Sequence, residues 1–151
     1  MKELLDLAVS IARDAGALQR ERFDAPRTIE TKSTQIDLVT DVDRACEALI
    51  LERIQAERPT DRILTEETGA HGDEGPFCWI IDPVDGTTNY AHGFPHFAVS
   101  IGIEEHGRAV AGVVYDPIKR ELFSALRGSG AWLNADPIHG SEVRSRETAL
   151  L

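Results

Sequence analysis

Apolar positions recur at helical spacing at the start of the chain. Leu4, Leu7, Ala8, Ile11, Ala12, Ala15 and Leu18 fall on one face with charges between them, which predicts a helix to about Arg22. Asp24-Ala25-Pro26 ends it, because proline disfavours helical geometry in the residue before it. A short extended segment, Ile29-Glu30-Thr31, precedes a polar loop from Lys32 to Gln35. Thr40 is placed to cap a second helix, with Asp43 at N3 as a short capping box. That helix carries Ala45, Leu49, Ile50 and Ile54 inward and stops before Pro59. Arg62-Ile63-Leu64 reads as a short strand leading into Thr65-Glu66-Glu67-Thr68-Gly69. A polar, Gly-containing loop from Ala70 to Pro76 follows, and Cys78 to Ile81 is the next strand.

The period then changes from helical to alternating. His96 to Glu104, Ala109 to Tyr115, Glu121 to Leu126 and Ala131 to Leu133 are strands separated by turns, which together predict a large antiparallel meander. Helices followed by strands, with no repeat and no linker, predict a single α+β layered domain over residues 1–151. The final residues, Glu147-Thr148-Ala149-Leu150-Leu151, form an apolar run without a cap or polar tail. The expectation is of a chain cut short of its full fold.

Composition narrows the partners. A 151-residue chain that is 42% hydrophobic and 28% charged buries a real core. Its formal net charge of -10 is not interrupted by a Lys/Arg cluster, which argues against nucleic acid or an anionic membrane as partner. A phosphate ligand stays possible if cations first reverse the local sign. Cys46 and Cys78 lack metal-ligand spacing and read as buried free thiols of a reducing compartment. With no signal-type apolar stretch after Met1-Lys2-Glu3 and no run long enough to span a bilayer, a cytoplasmic protein is expected.

The chemistry concentrates in Trp79-Ile80-Ile81-Asp82-Pro83-Val84-Asp85-Gly86-Thr87-Thr88-Asn89-Tyr90. An apolar strand runs into two carboxylates and then a glycine and two hydroxyl residues, in a turn that can lead into a helix. Pro83 restricts Asp82 to extended geometry, so Asp82 and Asp85 can converge. Backbone N–H groups after Gly86 would face the same point, giving oxygen ligands for Mg²⁺ and donors for a phosphate. The plain alternative is an Asx/Pro turn with Asp85 capping the next helix. Asp37/Asp41/Asp43 and Glu66-Glu67 are two further acidic stations. Each has its own plain reading, as helix-dipole and capping chemistry for Asp41 and as a solvated turn for the glutamates. Gathered at one edge, they would need cations. His92 and His96 flank the motif, but oxygen ligands suit Mg²⁺ better than imidazole does. Trp79 and Phe97 read as core.

The order of these stations resembles the inositol monophosphatase family of Mg²⁺-dependent, lithium-sensitive phosphatases, closest to its bacterial inositol-1-phosphatase branch. The likeness runs through Asp37 to Asp43, Leu64 to Gly69, Trp79 to Tyr90, His92, Phe94 and Pro95. It continues over His96 to Ile101, Gly112 to Pro117 and Gly128 to Ala131. The resemblance implies a layered helix/sheet sandwich, with two N-terminal helices on the meander sheet and the second half of the fold missing. It implies that Glu66, Asp82 and the Val84 carbonyl hold a first Mg²⁺, that Asp82 and Asp85 hold a second, and that a weaker third sits on the Glu66 side. Glu66 and Thr87 would orient the attacking water, with Asp43 ordering waters behind them and Lys32 as a nearby cation. Glu66, Val84, Asp85, Gly86 and Thr87 would line the substrate, Gly86 and Thr87 through backbone N–H groups. A small phosphomonoester substrate and a homodimer are implied as partners.

The chain departs from the family in length. Members carry a later Trp-Asp motif whose aspartate completes the second metal site, whereas Trp132 here is followed by Leu133. Thr65 stands where relatives often have glycine, a lesser and harmless departure. The resemblance therefore implies hydrolysis of inositol-1-phosphate for the family fold and slow chemistry for this chain. The alternatives are a phosphatase for fructose bisphosphate, a phosphonucleotide or histidinol phosphate, or an inactive metal-binding and association module.

Overall fold

Two long helices cover one face of a sheet whose strands follow one another almost in chain order. A computed structural model describes residues 1–25, 35–66, 68–72 and 75–142, with residues 35–40 as backbone alone. The elements are α1 (Lys2–Asp24), α2 (Gln35–Glu57), β1 (Arg62–Thr65), β2 (Gly69–His71), β3 (Phe77–Asp85) and α3 (Thr87–Ala91). β4 (Ala98–Glu105), β5 (Arg108–Asp116), β6 (Glu121–Leu126), β7 (Gly130–Leu133) and β8 (Asp136–Ile138) complete them. The sheet order is β2-β1-β3-β4-β5-β6-β7-β8. From β3 to β8 it is the antiparallel meander expected from the alternation.

The sheet as a whole is mixed, because β1 runs parallel to β3, with Thr65 opposite Ile81. A second difference is β2, which folds back on β1 in the stretch expected to be loop. Gly69 permits this with φ +84, and three residues without apolar alternation leave no strand signal in sequence. A third concerns α2, which begins at Gln35, so Thr40 and Asp41 lie inside the helix and not at its N-terminus. Thr and Asp cost no more than about 0.7 kcal/mol each in a helix interior, so they do not oblige a helix to start where they stand. The expected segment Ile29–Thr31, Lys32 and the terminal run from Glu147 lie outside the described residues.

The core sits between the helices and the inner sheet face. Ala8, Ile11, Ala12 and Ala15 of α1 and Ile50 and Ile54 of α2 meet Trp79, Ile81, Ile101, Ile103 and Val113 of the sheet. Each large side chain fully buried here contributes about 1.5–3 kcal/mol. Small residues on α1 let it lie close: a Cβ on Gly16 would stand 2.6 Å from the Tyr115 ring. Trp79 is core as expected, and its indole N–H also donates to Asp61 at 3.1 Å. Among the described residues no helix is long and apolar enough to cross a membrane.

Candidate metal and phosphate site

In a regular strand, residues three apart point to opposite faces, so Asp82 and Asp85 would diverge. The β3–β4 register removes that conflict. Asp82 pairs with Ser100 and Asp85 with Ala98, so the bulge sets four residues of β3 against three of β4. Ser100 and Ala98 share a face of β4, and both aspartates therefore lie on that one side. Val84, 2% exposed, turns inward to join Val42, Cys46, Tyr90 and Phe97. Asp82 accepts the Val84 N–H at 3.1 Å through Oδ1, in the Asx geometry that Asp-Pro favours.

Gly86 follows with φ +96 and ψ 35 and is itself the N-cap of α3, with no side-chain cap bond. Asp85 is therefore not the helix cap that the plain reading required. The Tyr90 N–H bonds the Gly86 carbonyl at 3.0 Å, and the amides of Thr87, Thr88 and Asn89 have no acceptor within the helix. These donors stand at the residues directly following the two carboxylates.

Glu66 arrives from the neighbouring strand. It follows Thr65, which lies beside Ile81, so Glu66 and Asp82 leave adjacent parallel strands at the same end. Its turn is fastened by hydroxyl groups. Thr65 Oγ1 accepts the Thr68 N–H at 3.2 Å and donates to the Gly69 carbonyl at 3.3 Å. The Thr68 hydroxyl donates to the carboxylate of Glu47, which α2 buries at 2% exposure. Thr65 is thus a built part of the turn that carries Glu66.

Asp43 is buried on the inner side of α2, one turn before Cys46. Burial, then the charge of Asp43, push the Cys46 thiol up to about 12, against a smaller lowering by Arg22. Glu66 and Asp85 are exposed and Asp82 is half-buried. Among the described residues, no three Asp, Glu, His or Cys side chains are grouped so that they could hold a metal ion. The donor set is carboxylate and carbonyl oxygen from two adjacent chain segments, chemistry that fits Mg²⁺. Lys32, Glu67 and the side chain of Asp37 lie outside the described residues.

His92 and His96 make contacts of their own. His92 Nδ1 lies 2.8 Å from the Thr88 carbonyl at the end of α3. His96 borders an open cleft of about 450 Å³ that reaches from Asp85 and Gly86 to Asp116 and Lys119. Lys119 Nζ stands 3.2 Å from Asp116 and 3.1 Å from His96 Nδ1. Sequence reading missed two contributors. Gln19 of α1 donates to the Pro83 carbonyl at 2.7 Å, and Lys119 brings a cation to the cleft. A lone Gln on an apolar helical face and a Lys in a turn carry no motif that would have singled them out.

The sequence model described as the inositol monophosphatase family matches residues 1–151. The Escherichia coli K12 protein named Nus factor SuhB is 42% identical over 153 residues, covering all of this chain and 57% of that protein. Inositol monophosphatase 2 of Solanum lycopersicum is 42% identical over 157 residues, covering all of this chain and 58% of its own length. The crystal structure of the extragenic suppressor protein suhB from Bartonella henselae superposes with a TM-score of 0.83 at 37% identity. It covers 94% of this chain, which spans 56% of that structure. The chain thus spans little more than half the length of the relatives it matches.

Proposed function

The chain belongs to the inositol monophosphatase family, and from that premise we propose that it carries the metal-binding half of a Mg²⁺-dependent phosphomonoesterase acting on inositol-1-phosphate. The observation that carries this reading is the β3 bulge, which turns Asp82 and Asp85 to one side directly before the N-terminus of α3. Glu66, Asp82 and the Val84 carbonyl would hold one Mg²⁺, and Asp82 with Asp85 a second. When bound, the cations lower the pKa of water and neutralise charge on the phosphoryl oxygens and the departing alkoxide. Glu66 and Thr87 orient the attacking water, and Asp43 supports the waters behind them. The Gly86 and Thr87 amides hold the phosphate at the start of α3, and Asp85 accepts a substrate hydroxyl. The second site needs a further aspartate, which the family supplies from its other half.

The test is calorimetric titration of Mg²⁺ into the chain, with phosphate release from inositol-1-phosphate followed in parallel. Asp82→Asn is expected to weaken Mg²⁺ binding by at least about tenfold, the loss that even outer-shell partners of a metal ligand produce. Equal binding by the variant sinks the assignment. Binding without phosphate release places the chain as an incomplete enzyme. Faster release from fructose bisphosphate, a phosphonucleotide or histidinol phosphate than from inositol-1-phosphate would reassign the substrate.

A second reading has its own observation. Ile80, Val114 and Phe123 stand 42%, 40% and 39% exposed on the sheet face that the helices leave open. Such a face supports a role through association, with a second copy as occupant and a homodimer as product.

A further inference from the structure

Gln19 is a polar side chain at 0% exposure, placed by α1 against the β3 bulge. Burying a carboxamide is costly unless it is hydrogen-bonded. Its Nε2 donates to the Pro83 carbonyl at 2.7 Å and reaches the Ala98 carbonyl at 3.3 Å. Its own backbone carbonyl accepts the Tyr90 hydroxyl at 2.8 Å. Its Oε1 has no hydrogen-bond partner among the described residues. An apolar residue here would avoid that orphaned acceptor, so the amide is useful for what its nitrogen holds.

The bulge explains what that is. Ladder pairing passes from Asp82 opposite Ser100 to Asp85 opposite Ala98, leaving Pro83 and Val84 outside the register. The Pro83 carbonyl therefore depends on a donor from elsewhere, and Gln19 supplies it while touching the β4 carbonyl across the break. The peptide between Pro83 and Val84 is planar and trans, so its C=O and N–H point in opposite directions. Its C=O is held by Gln19 and its N–H by Asp82 Oδ1. Fixing one end fixes the other.

We propose that Gln19 is a positioning residue, which sets the orientation of the Asp82 carboxylate through the Pro83–Val84 peptide plane. Its use to the protein rests on the reading that Asp82 receives a cation. The Tyr90 bond to the same turn of α1 holds α3 in step with that carboxylate.

The experiment compares the full chain with Gln19→Met, which keeps the volume and loses the donor, and with Ile11→Val, a core change in the same helix. Amide exchange is read in the metal-free proteins, followed by calorimetric titration with Mg²⁺ alone. Gln19→Met is expected to speed exchange at Val84 about tenfold, the factor that one lost hydrogen bond corresponds to, without changing Ile101 or Ile103. Mg²⁺ binding is expected to weaken by a similar factor. Ile11→Val is expected to lower the thermal midpoint and leave both readouts in place. Unchanged Val84 exchange in folded Gln19→Met overturns the proposal, as does unweakened Mg²⁺ binding by the variant where the wild type binds Mg²⁺. Faster Val84 exchange in a chain whose wild type binds no Mg²⁺ removes the cation reading and leaves the positioning of Asp82 standing. If the variant does not fold, the through-bond NMR coupling between Gln19 Nε2 and the Pro83 carbonyl carbon is measured in wild type. Its presence supports the clamp and its absence overturns it.

Discussion

Gly86 holds φ +96, and a Cβ built on it would stand 3.1 Å from the His96 carbonyl oxygen. Both facts strain a side chain at the joint between the acids and α3. Gly86→Ala should cost about 1–2 kcal/mol from the left-handed backbone alone, measured by urea unfolding. A variant as stable as wild type would show that the joint can open differently. Cys46 makes a prediction with a sign. Burial first, and Asp43 second, raise its pKa from 9.0 to about 12 in the folded chain, while the unfolded thiol ionises near its ordinary value. The stability this contributes is complete below pH 9.0 and is lost as pH rises towards 12, by up to about 1.4 kcal/mol per pH unit. Cys46→Ala has no such titration, so its stability gap from wild type should narrow above pH 9.0. A constant gap would refute the assignment. Individual residues were legible where motif chemistry marks them, as at Asp82, Asp85 and Gly86. Gln19 was not, because a hydrogen bond across 64 residues leaves no local pattern.

At the level of elements, a buried network pins the start of β1 to β3. Asp61, 1% exposed, accepts Arg58 Nε at 2.8 Å, Arg58 Nη2 at 3.2 Å and Trp79 Nε1 at 3.1 Å. Asp61→Ala strands the indole N–H in the core and should destabilise the chain by about 2 kcal/mol. Urea unfolding with tryptophan fluorescence reads this directly, and a change within error would mean that the indole finds another acceptor. α1 and the meander strands were legible because their apolar periods are long. The start of α2 was not, since Thr40 and Asp41 resemble capping residues while sitting in a helix that begins at Gln35. β2 escaped because its pairing with β1 depends on the turn at Thr65–Gly69 and not on its own apolar content.

For the whole molecule, the prediction concerns the open sheet face. Ile80 and Phe123 lie there, and the relatives extend well beyond the length matched here. The chain is expected to self-associate, more strongly as salt screens its net charge of -10. Sedimentation equilibrium should show this, with Phe123→Ser shifting the population towards monomer. A monomer at all salt concentrations would exclude the association reading. The sequence by itself determined the order of helices and meander, the strand-turn-helix around Asp82 and Asp85, and the family, because periodicity and a dense local motif survive without coordinates. Only the tertiary structure decided that β1 lies parallel to β3, which carries Glu66 to the end of the sheet where Asp82 stands. It also decided that a bulge turns Asp82 and Asp85 to one side, held by an amide from α1. Strand register and long-range hydrogen bonds are properties of segments meeting in space, and neither segment encodes the meeting alone.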